Sequence, residues 1–163
     1  MNAPLRILLA ITLLPLAALA DGDHKYAGEN RGKPLQPGKL NAKWQAECGA
    51  CHIAYAPGLL PAASWRKVMS TLDQHFDSDA SLTASETKEI TTFLTDNASN
   101  RWSATSAPLR ISEGAWFKAK HGAKEIAPEV WKRPAVKSPA NCQACHIDAA
   151  KADFNEHRIK IPK

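Results

Sequence analysis

The 163-residue sequence has few of the large side chains that usually fill a protein core, with only four phenylalanines and two tyrosines. It also lacks runs of alternating apolar and polar residues, which argues against a β-sheet protein. The net charge of +5 is modest, and its lysines and arginines are interspersed with acidic residues instead of forming a basic stripe. Nucleic-acid binding is therefore not expected, and the core needs another source of apolar surface.

Cysteine is equally sparse, and all four cysteines belong to two copies of one pattern: Cys48-Gly49-Ala50-Cys51-His52 and Cys142-Gln143-Ala144-Cys145-His146. Two thiols at this spacing can add across the two vinyl groups of one haem, and the adjacent histidine then lies under the iron as its axial ligand. The sequence therefore predicts two haem c groups, held covalently by the cysteines, with His52 and His146 as proximal ligands.

A structural zinc site and a pair of disulfides are the alternatives for four cysteines in two pairs. A zinc site would have to join pairs that are separated by about 90 residues, and neither alternative gives a role to the histidine after each pair. Two haems would also supply apolar surface for the core, which contains few Phe and Tyr side chains.

The N-terminus has the features of a secretory signal over residues 1–20. Arg6 supplies the positive charge, Ile7 to Leu19 form an apolar run, and Ala18-Leu19-Ala20 form a small-x-small cleavage site before Asp21. The apolar run is about 13 residues long, which is short for the alternative of a membrane anchor. No cysteine lies near the cleavage point, so a lipoprotein is not expected. We expect cleavage after Ala20, no stable anchor afterwards, and a periplasmic location, where thiols can meet haem.

The rest of the chain is expected to form one small dihaem cytochrome c domain over residues 41–163, after an extended Gly- and Pro-rich lead-in over residues 21–40. The predicted fold class is mostly α with extensive irregular loops, arranged as two haem-binding lobes around a shared core. The first lobe covers about 41–98 and the second about 109–163, with a polar connector between them. No internal repeat beyond the two haem motifs is evident.

Helix signals support this division. A short helix is predicted from Asn41 into the first haem motif, and a capping box at Thr83-Ala84-Ser85-Glu86 begins another that ends near Asn97. A further short helix is predicted from Ser112 to His121 and a short helix at the second haem motif. From Pro61 a helix is predicted with one apolar face: Trp65, Val68, Met69, Leu72, His75 and Phe76.

The sixth ligand of each iron must come from a small set, because the mature chain has only four further histidines and one methionine. His75 is favoured for the first haem, since it ends the apolar stripe of the helix after Pro61. His121 is favoured for the second, because it follows two bulky aromatic residues in its helix, and His157 is its competitor. Met69 is a less favoured candidate, since a methionine in such a stripe usually fills the core, and His24 is interpreted as a solvated residue.

At this point the sequence resembles a known family, the bacterial periplasmic dihaem cytochromes c (DHC). The resemblance lies in these segments: Cys48 to Trp65, Leu72 to Phe76, Trp116-Phe117 with His121, Ser138 to His146, and Arg158 to Pro162. It implies two low-spin haems with two histidines each, His75 and His121 being the distal ligands. It also implies redox partners, either a membrane cytochrome b or a small high-spin cytochrome c that binds oxygen. One departure is Asp77, where the family usually has glycine.

The favoured function is therefore electron transfer without catalysis, with low reduction potentials because two imidazoles replace the methionine that raises them. The alternative is a haem enzyme or gas-binding protein with one open iron for peroxide, nitrite or oxygen. No constellation of acidic and basic residues beside a haem motif supports that alternative. A third possibility is that the protein is a haem-bearing subunit of a larger complex. Docking surfaces leave little trace in a sequence, so the sequence does not exclude it.

Overall fold

A computed structural model describes residues 34–100 and 107–163 of the chain. The predicted signal sequence at 1–20, the first part of the lead-in with His24, and residues 101–106 of the connector lie outside the described residues. The described residues all belong to one compact unit. The division into two haem lobes stays a prediction.

The described residues form four α-helices: α1 (Ala42–Gly49), α2 (Ala62–Met69), α3 (Ala84–Asp96) and α4 (Ala115–His121). Seven short 3-10 turns connect them or follow them: Pro57–Leu59, Leu72–Gln74, Ile111–Glu113, Pro128–Lys132, Cys142–Ala144, Ala149–Lys151 and Glu156–Arg158. Over these ranges no β-strand is formed, and pairing is limited to two isolated bridges. The predicted fold class, mostly α with extensive irregular structure, is confirmed. None of the helices in the described ranges has the length and apolar composition that a membrane crossing requires.

The main core lies where α1, α2 and α3 meet. Its buried members are Trp44, Leu60, Trp65, Met69, Ile90, Leu94 and Ala98. The Trp65 indole donates a hydrogen bond to the Pro57 carbonyl at 2.7 Å, which satisfies its one polar atom inside this core. Met69 is 5% exposed and belongs to the same cluster, so its thioether packs among apolar neighbours.

The helix limits follow from local chemistry. Asn41 caps α1 by accepting a hydrogen bond from the Trp44 amide at 2.8 Å. The capping box predicted for α3 is present: the Thr83 hydroxyl accepts from the Glu86 amide, and the Glu86 carboxylate accepts from the Thr83 amide. α3 ends at Asp96, with Asn97 as its C-cap, as expected.

One prediction about α2 is wrong. The helix ends at Met69, so Leu72, His75 and Phe76 do not lie on its apolar face. The hydroxyls of Ser70 and Thr71 both donate to the Lys67 carbonyl, at 2.8 and 3.1 Å. Such side-chain bonds compete with the backbone bonds that would continue a helix.

The second half differs in a similar way. α4 begins at Ala115, not at Ser112, because Gly114 is extended (φ −64°, ψ 144°) and separates α4 from the turn before it. The second haem motif starts a 3-10 turn, Cys142–Ala144, where a short helix was expected. Four apolar residues in this half of the chain are buried: Phe117, Val130, Val136 and Ala149.

Two candidate haem-attachment sites

The first haem motif lies at the C-terminal end of α1, which the main core holds firmly. Trp44 is 2% exposed and packs against Phe93 of α3, with ring centroids 5.2 Å apart. On the outer side of α1, Lys43 forms an ion pair with Glu89 of α3 at 2.7 Å. Cys48 is the last but one residue of α1, and the turn after the helix carries Cys51 and His52.

The structure places the side chains of His52 and His75 close together at the first site. Their ring centroids are 6.2 Å apart, and their planes differ by 27°. An imidazole nitrogen lies about 2.0 to 2.1 Å from a transition metal that it binds, and the ring centre about 1.1 Å further, so two imidazoles on opposite sides of one metal have centroids about 6.2 Å apart. The separation of these two rings therefore fits two axial ligands of one iron.

His75 reaches this position from a turn, not from a helix. The Ser78 amide donates to the His75 carbonyl at 3.1 Å, and the two residues between them, Phe76 and Asp77, have φ angles of 49° and 73°. Two consecutive central residues with positive φ are the pattern of a type I′ turn. The guanidinium of Arg110 lies over the Phe76 ring, 4.1 Å from its centroid, and joins this turn to the following part of the chain.

This turn gives a physical reason why glycine is expected at the position of Asp77. At φ 73°, Asp77 occupies the left-handed region, which glycine enters without steric penalty and aspartate only at some cost. The His75 turn is nevertheless formed with aspartate.

The second haem motif is held by backbone bonds and by the C-terminal segment. The His146 amide donates to the Cys142 carbonyl at 2.8 Å, and the Lys160 amide donates to the Cys145 carbonyl at 3.0 Å. Arg158 forms ion pairs with Asp148 and with Asp153. The C-terminal segment is therefore fastened against the second motif.

His121 meets His146 at this second site. Their ring centroids are 6.0 Å apart with planes at 63°, a separation that again fits two imidazoles on one metal. The His121 ring stacks on Phe117, one helical turn earlier, at 4.1 Å and 6°, and Trp131 lies 6.2 Å away. The competitor His157 lies in the exposed Glu156–Arg158 turn, and it is His121 that faces His146.

The hydrogen bonds of two of these histidines suit metal ligation. The Nδ1 atom of His52 lies 2.6 Å from the Ile53 carbonyl, and that of His121 lies 3.1 Å from the Phe117 carbonyl. In the tautomer that protonates Nδ1, each ring donates to its carbonyl and keeps the lone pair of Nε2 for a metal, which is the usual arrangement around ligating histidines.

Burial acts in the same direction. It lowers the pKa of His75, His121 and His146 below the ordinary histidine value, so each ring favours the neutral form that can bind iron. Burial also raises the pKa of the Cys48 thiol to about 11. The pKa values of Cys142 and Cys145 are raised for the same reason, which is the opposite of the shift that a reactive redox cysteine shows.

The four cysteines belong to the same two sites as the paired histidines. All four cysteines are free. Within residues 34–100 and 107–163, no three or more His, Cys, Asp or Glu side chains are grouped so as to hold a metal ion. Two cysteines beside each facing pair of histidines are the donor set of a haem c, and these residues fit it.

Three neighbours of the histidines had not been singled out from the sequence. The Tyr55 ring lies 4.8 Å from His52, and the Phe154 ring lies 5.3 Å from His146, edge-on. Arg110 contacts the His75 turn, as described above. Only Tyr55 is close to a motif in sequence, and no local pattern distinguishes any of the three from ordinary packing residues.

Comparison with known proteins gives consistent matches. The family described as dihaem cytochrome c matches residues 44–154. A diheme cytochrome c from Rhodobacter sphaeroides is 38% identical, with 71% of this chain and 97% of that chain covered and a TM-score of 0.65. A crystal structure of DHC purified from the same organism is 42% identical, with coverages of 71% and 98% and a TM-score of 0.63.

A third solved structure comes from another organism. The X-ray structure of the diheme cytochrome type c of Shewanella baltica OS155, sb-DHC, is 36% identical, with 75% of this chain and 93% of that chain covered and a TM-score of 0.66. No curated protein sequence matches the chain significantly.

The strain at the His75 turn leads to a prediction about stability. Asp77→Gly should raise the free energy of unfolding by up to about 1 kcal/mol, because glycine avoids the left-handed penalty, which is roughly 1–2 kcal/mol for ordinary residues and smaller for aspartate, and loses part of that gain in unfolded-chain entropy. Denaturant unfolding followed by circular dichroism measures the change. The matched control is Asp73→Gly in the turn before His75, whose φ is not positive; this change should lower stability. Equal effects of the two substitutions would contradict the argument from strain.

Proposed function

Because the chain belongs to the dihaem cytochrome c family and so carries two c-type haems, we propose that it is a periplasmic electron carrier in which two histidines ligate each iron. The observation that supports this most directly is the pair of ring separations, 6.2 Å for His52 with His75 and 6.0 Å for His121 with His146. Haem supplies reversible one-electron chemistry when bound. The residues of this chain hold it, fill its axial positions and limit the access of water.

Each group of residues has a distinct part in this proposal. Cys48 and Cys51 attach the first haem and Cys142 and Cys145 the second, so neither haem can dissociate. His52 with His75 and His121 with His146 would each hold one iron between two imidazoles, which would leave no coordination site for a substrate and favours a carrier over an enzyme. Rings held by packing and by backbone hydrogen bonds change little between oxidation states, which keeps the reorganisation on electron transfer small.

Low reduction potentials are part of the proposal. Two imidazoles stabilise ferric iron more than an imidazole and a thioether do, since methionine ligation raises the potential. The only methionine of the mature chain, Met69, is packed in the main core. This placement supports histidine ligation at both irons.

Location and partners rest on the sequence. The secretory features of residues 1–20 support export to the periplasm, and the family resemblance points to a membrane cytochrome b or a small high-spin cytochrome c as the partner. Charge suggests where an acidic partner would dock. Residues 34–100 contain five Lys and Arg against seven Asp and Glu, whereas residues 107–163 contain eleven against six. The part of the chain with the second haem motif is therefore basic, and an acidic redox partner is drawn to it.

Removal of either distal histidine tests the ligand assignment. His75→Ala and His121→Ala should each convert one haem to a high-spin or water-ligated form and leave the other low-spin. Reduced wild-type protein should bind little carbon monoxide, because a protein imidazole must first be displaced, whereas each variant should bind one molecule per chain. Optical titration of the Soret band measures both the spin state and the stoichiometry.

Two control variants accompany this test. Met69→Leu should leave both haems low-spin and cost under about 1.5 kcal/mol of stability, since it nearly conserves core volume. His157→Ala should leave the spectra unchanged. Stoichiometric carbon monoxide binding by the wild-type protein, or its turnover of peroxide or nitrite, would instead support the alternative of an enzyme or gas-binding protein.

The ring angles predict that the two irons differ in their electron paramagnetic resonance spectra. Each imidazole raises the iron d orbital that overlaps its filled π orbital. At the first site the two rings differ by only 27°, so both raise mainly the same d orbital and separate it in energy from its partner. At the second site the rings differ by 63°, so the two d orbitals are raised to similar extents and stay close in energy. The oxidised protein should therefore show one rhombic low-spin signal from the first haem and one strongly anisotropic signal from the second. If His75→Ala loses the rhombic signal, that signal belongs to the first haem. Two identical signals in the wild-type protein would contradict the difference in ring angles.

The charge difference can be tested with small redox reagents in place of the partner. Oxidation of the reduced protein by anionic ferricyanide should slow as salt is added, because exposed charges are screened beyond about 8 to 10 Å at 0.15 to 0.1 M ionic strength. Lys118→Glu and Lys124→Glu, in the basic part, should slow it more than the matched controls Lys39→Glu and Lys88→Glu. All four lysines are exposed. Equal effects of the two pairs, measured by stopped flow, would place docking elsewhere.

A further inference from the structure

Tyr55 lies against the proximal histidine of the first site. It follows His52 by three residues, and the two rings lie 4.8 Å apart at an angle of 29°. Such a contact restricts rotation of the imidazole about its side-chain bonds, in addition to the hydrogen-bonding contact between His52 Nδ1 and the Ile53 carbonyl. The Tyr55 ring is therefore part of what fixes the orientation of the His52 plane.

The other end of Tyr55 reaches the second site. Its hydroxyl donates a hydrogen bond to the Ala140 carbonyl at 2.5 Å, across 85 positions of sequence. The Sγ atom of Cys142 lies 3.6 Å from the same carbonyl oxygen. In the haem-loaded protein this sulfur is a thioether bonded to the second haem, so the oxygen that Tyr55 holds lies beside an attachment atom.

The hydroxyl keeps its proton in this position. A tyrosine hydroxyl has an ordinary pKa of about 10 and so carries its proton at neutral pH. The phenol is therefore neutral at physiological pH and acts as a donor, as the short contact to a carbonyl requires. A carbonyl can accept only, so the direction of this hydrogen bond is fixed.

We propose that Tyr55 is a positioning residue that couples the two haem sites, with its ring orienting His52 and its hydroxyl anchoring the loop before Cys142. Electron transfer between two haems depends steeply on the separation of their edges and on the contacts between them. Tyr55 would hold a ligand of the first iron and also the loop that attaches the second haem. It would thereby keep the separation of the haem edges and the contacts between them constant. When an electron moves, one iron is oxidised and the other reduced, while Tyr55 retains its proton and is not oxidised.

This inference rests on the proposed ligation, and two substitutions separate the functions of Tyr55. Tyr55→Phe keeps the ring against His52 and removes the hydroxyl. It should leave the electron paramagnetic resonance signal of the first haem unchanged and broaden the signal of the second haem. It should also increase the rate of amide hydrogen exchange over residues 138–146. Tyr55→Leu removes ring and hydroxyl, and it should also shift the signal of the first haem.

A third variant controls for a general loss of stability. Thr83→Ala removes the capping box of α3, which costs about 1 kcal/mol but touches neither haem motif, and it should change neither signal nor the exchange of residues 138–146. If Tyr55→Phe leaves both the second signal and this exchange at wild-type values, the coupling role is refuted. If the wild-type protein lacks two low-spin signals, the proposed ligation fails instead, and the exchange result still reports whether the hydroxyl anchors the loop.

Discussion

The separation of about 6 Å between two facing imidazole rings is the constraint on which both sites depend. A ring pair much closer together or farther apart could not share one metal, because the length of an imidazole–metal bond varies little. At the first site this distance is set by the main core: α1 carries the haem motif, and α2 leads into the turn that ends at His75. Packing of α1 and α2 against α3 therefore determines where His52 and His75 stand. The buried residues Trp44, Ile90 and Leu94 contribute to that packing.

The second site reaches the same separation by other means. Its helix α4 has only seven residues, and the segment after it contains 3-10 turns instead of long helices. His121 is held by stacking on Phe117 and by Trp131, and the chain around His146 is held by backbone bonds and by the ion pairs of Arg158. Isolated helices this short are marginal in water. Buried side chains such as Val136, together with these contacts and a covalently attached haem, can supply stability that the short helix itself lacks.

Sequence reasoning succeeded where the signal was local and failed where tertiary contacts decide. The capping box at Thr83 and the end of α3 near Asn97 depend on residues within one helical turn, and both are present. The helix after Pro61 was extended too far, because the apolar period continues past the hydroxyls of Ser70 and Thr71 that end it. The assignment of His75 as a ligand stays a prediction, and a turn, not the helix, places it near His52. The link from Tyr55 to Ala140 spans 85 residues, and no local pattern encodes it.

The His75 turn shows how a ligand can be placed before any metal is bound. Left-handed φ angles at Phe76 and Asp77 cost roughly 1–2 kcal/mol each for ordinary residues and less for aspartate. The bond from the Ser78 amide to the His75 carbonyl and that from the Ala80 amide to the Leu72 carbonyl oppose this cost, each contributing about 0.5–1.5 kcal/mol. Arg110 over the Phe76 ring adds about 0.5–1 kcal/mol. These contributions are comparable with the strain, so the chain itself can hold the His75 imidazole opposite His52. If His75 ligates iron as proposed, the turn is already formed before the metal binds, so metal binding would not have to supply the free energy of forming it.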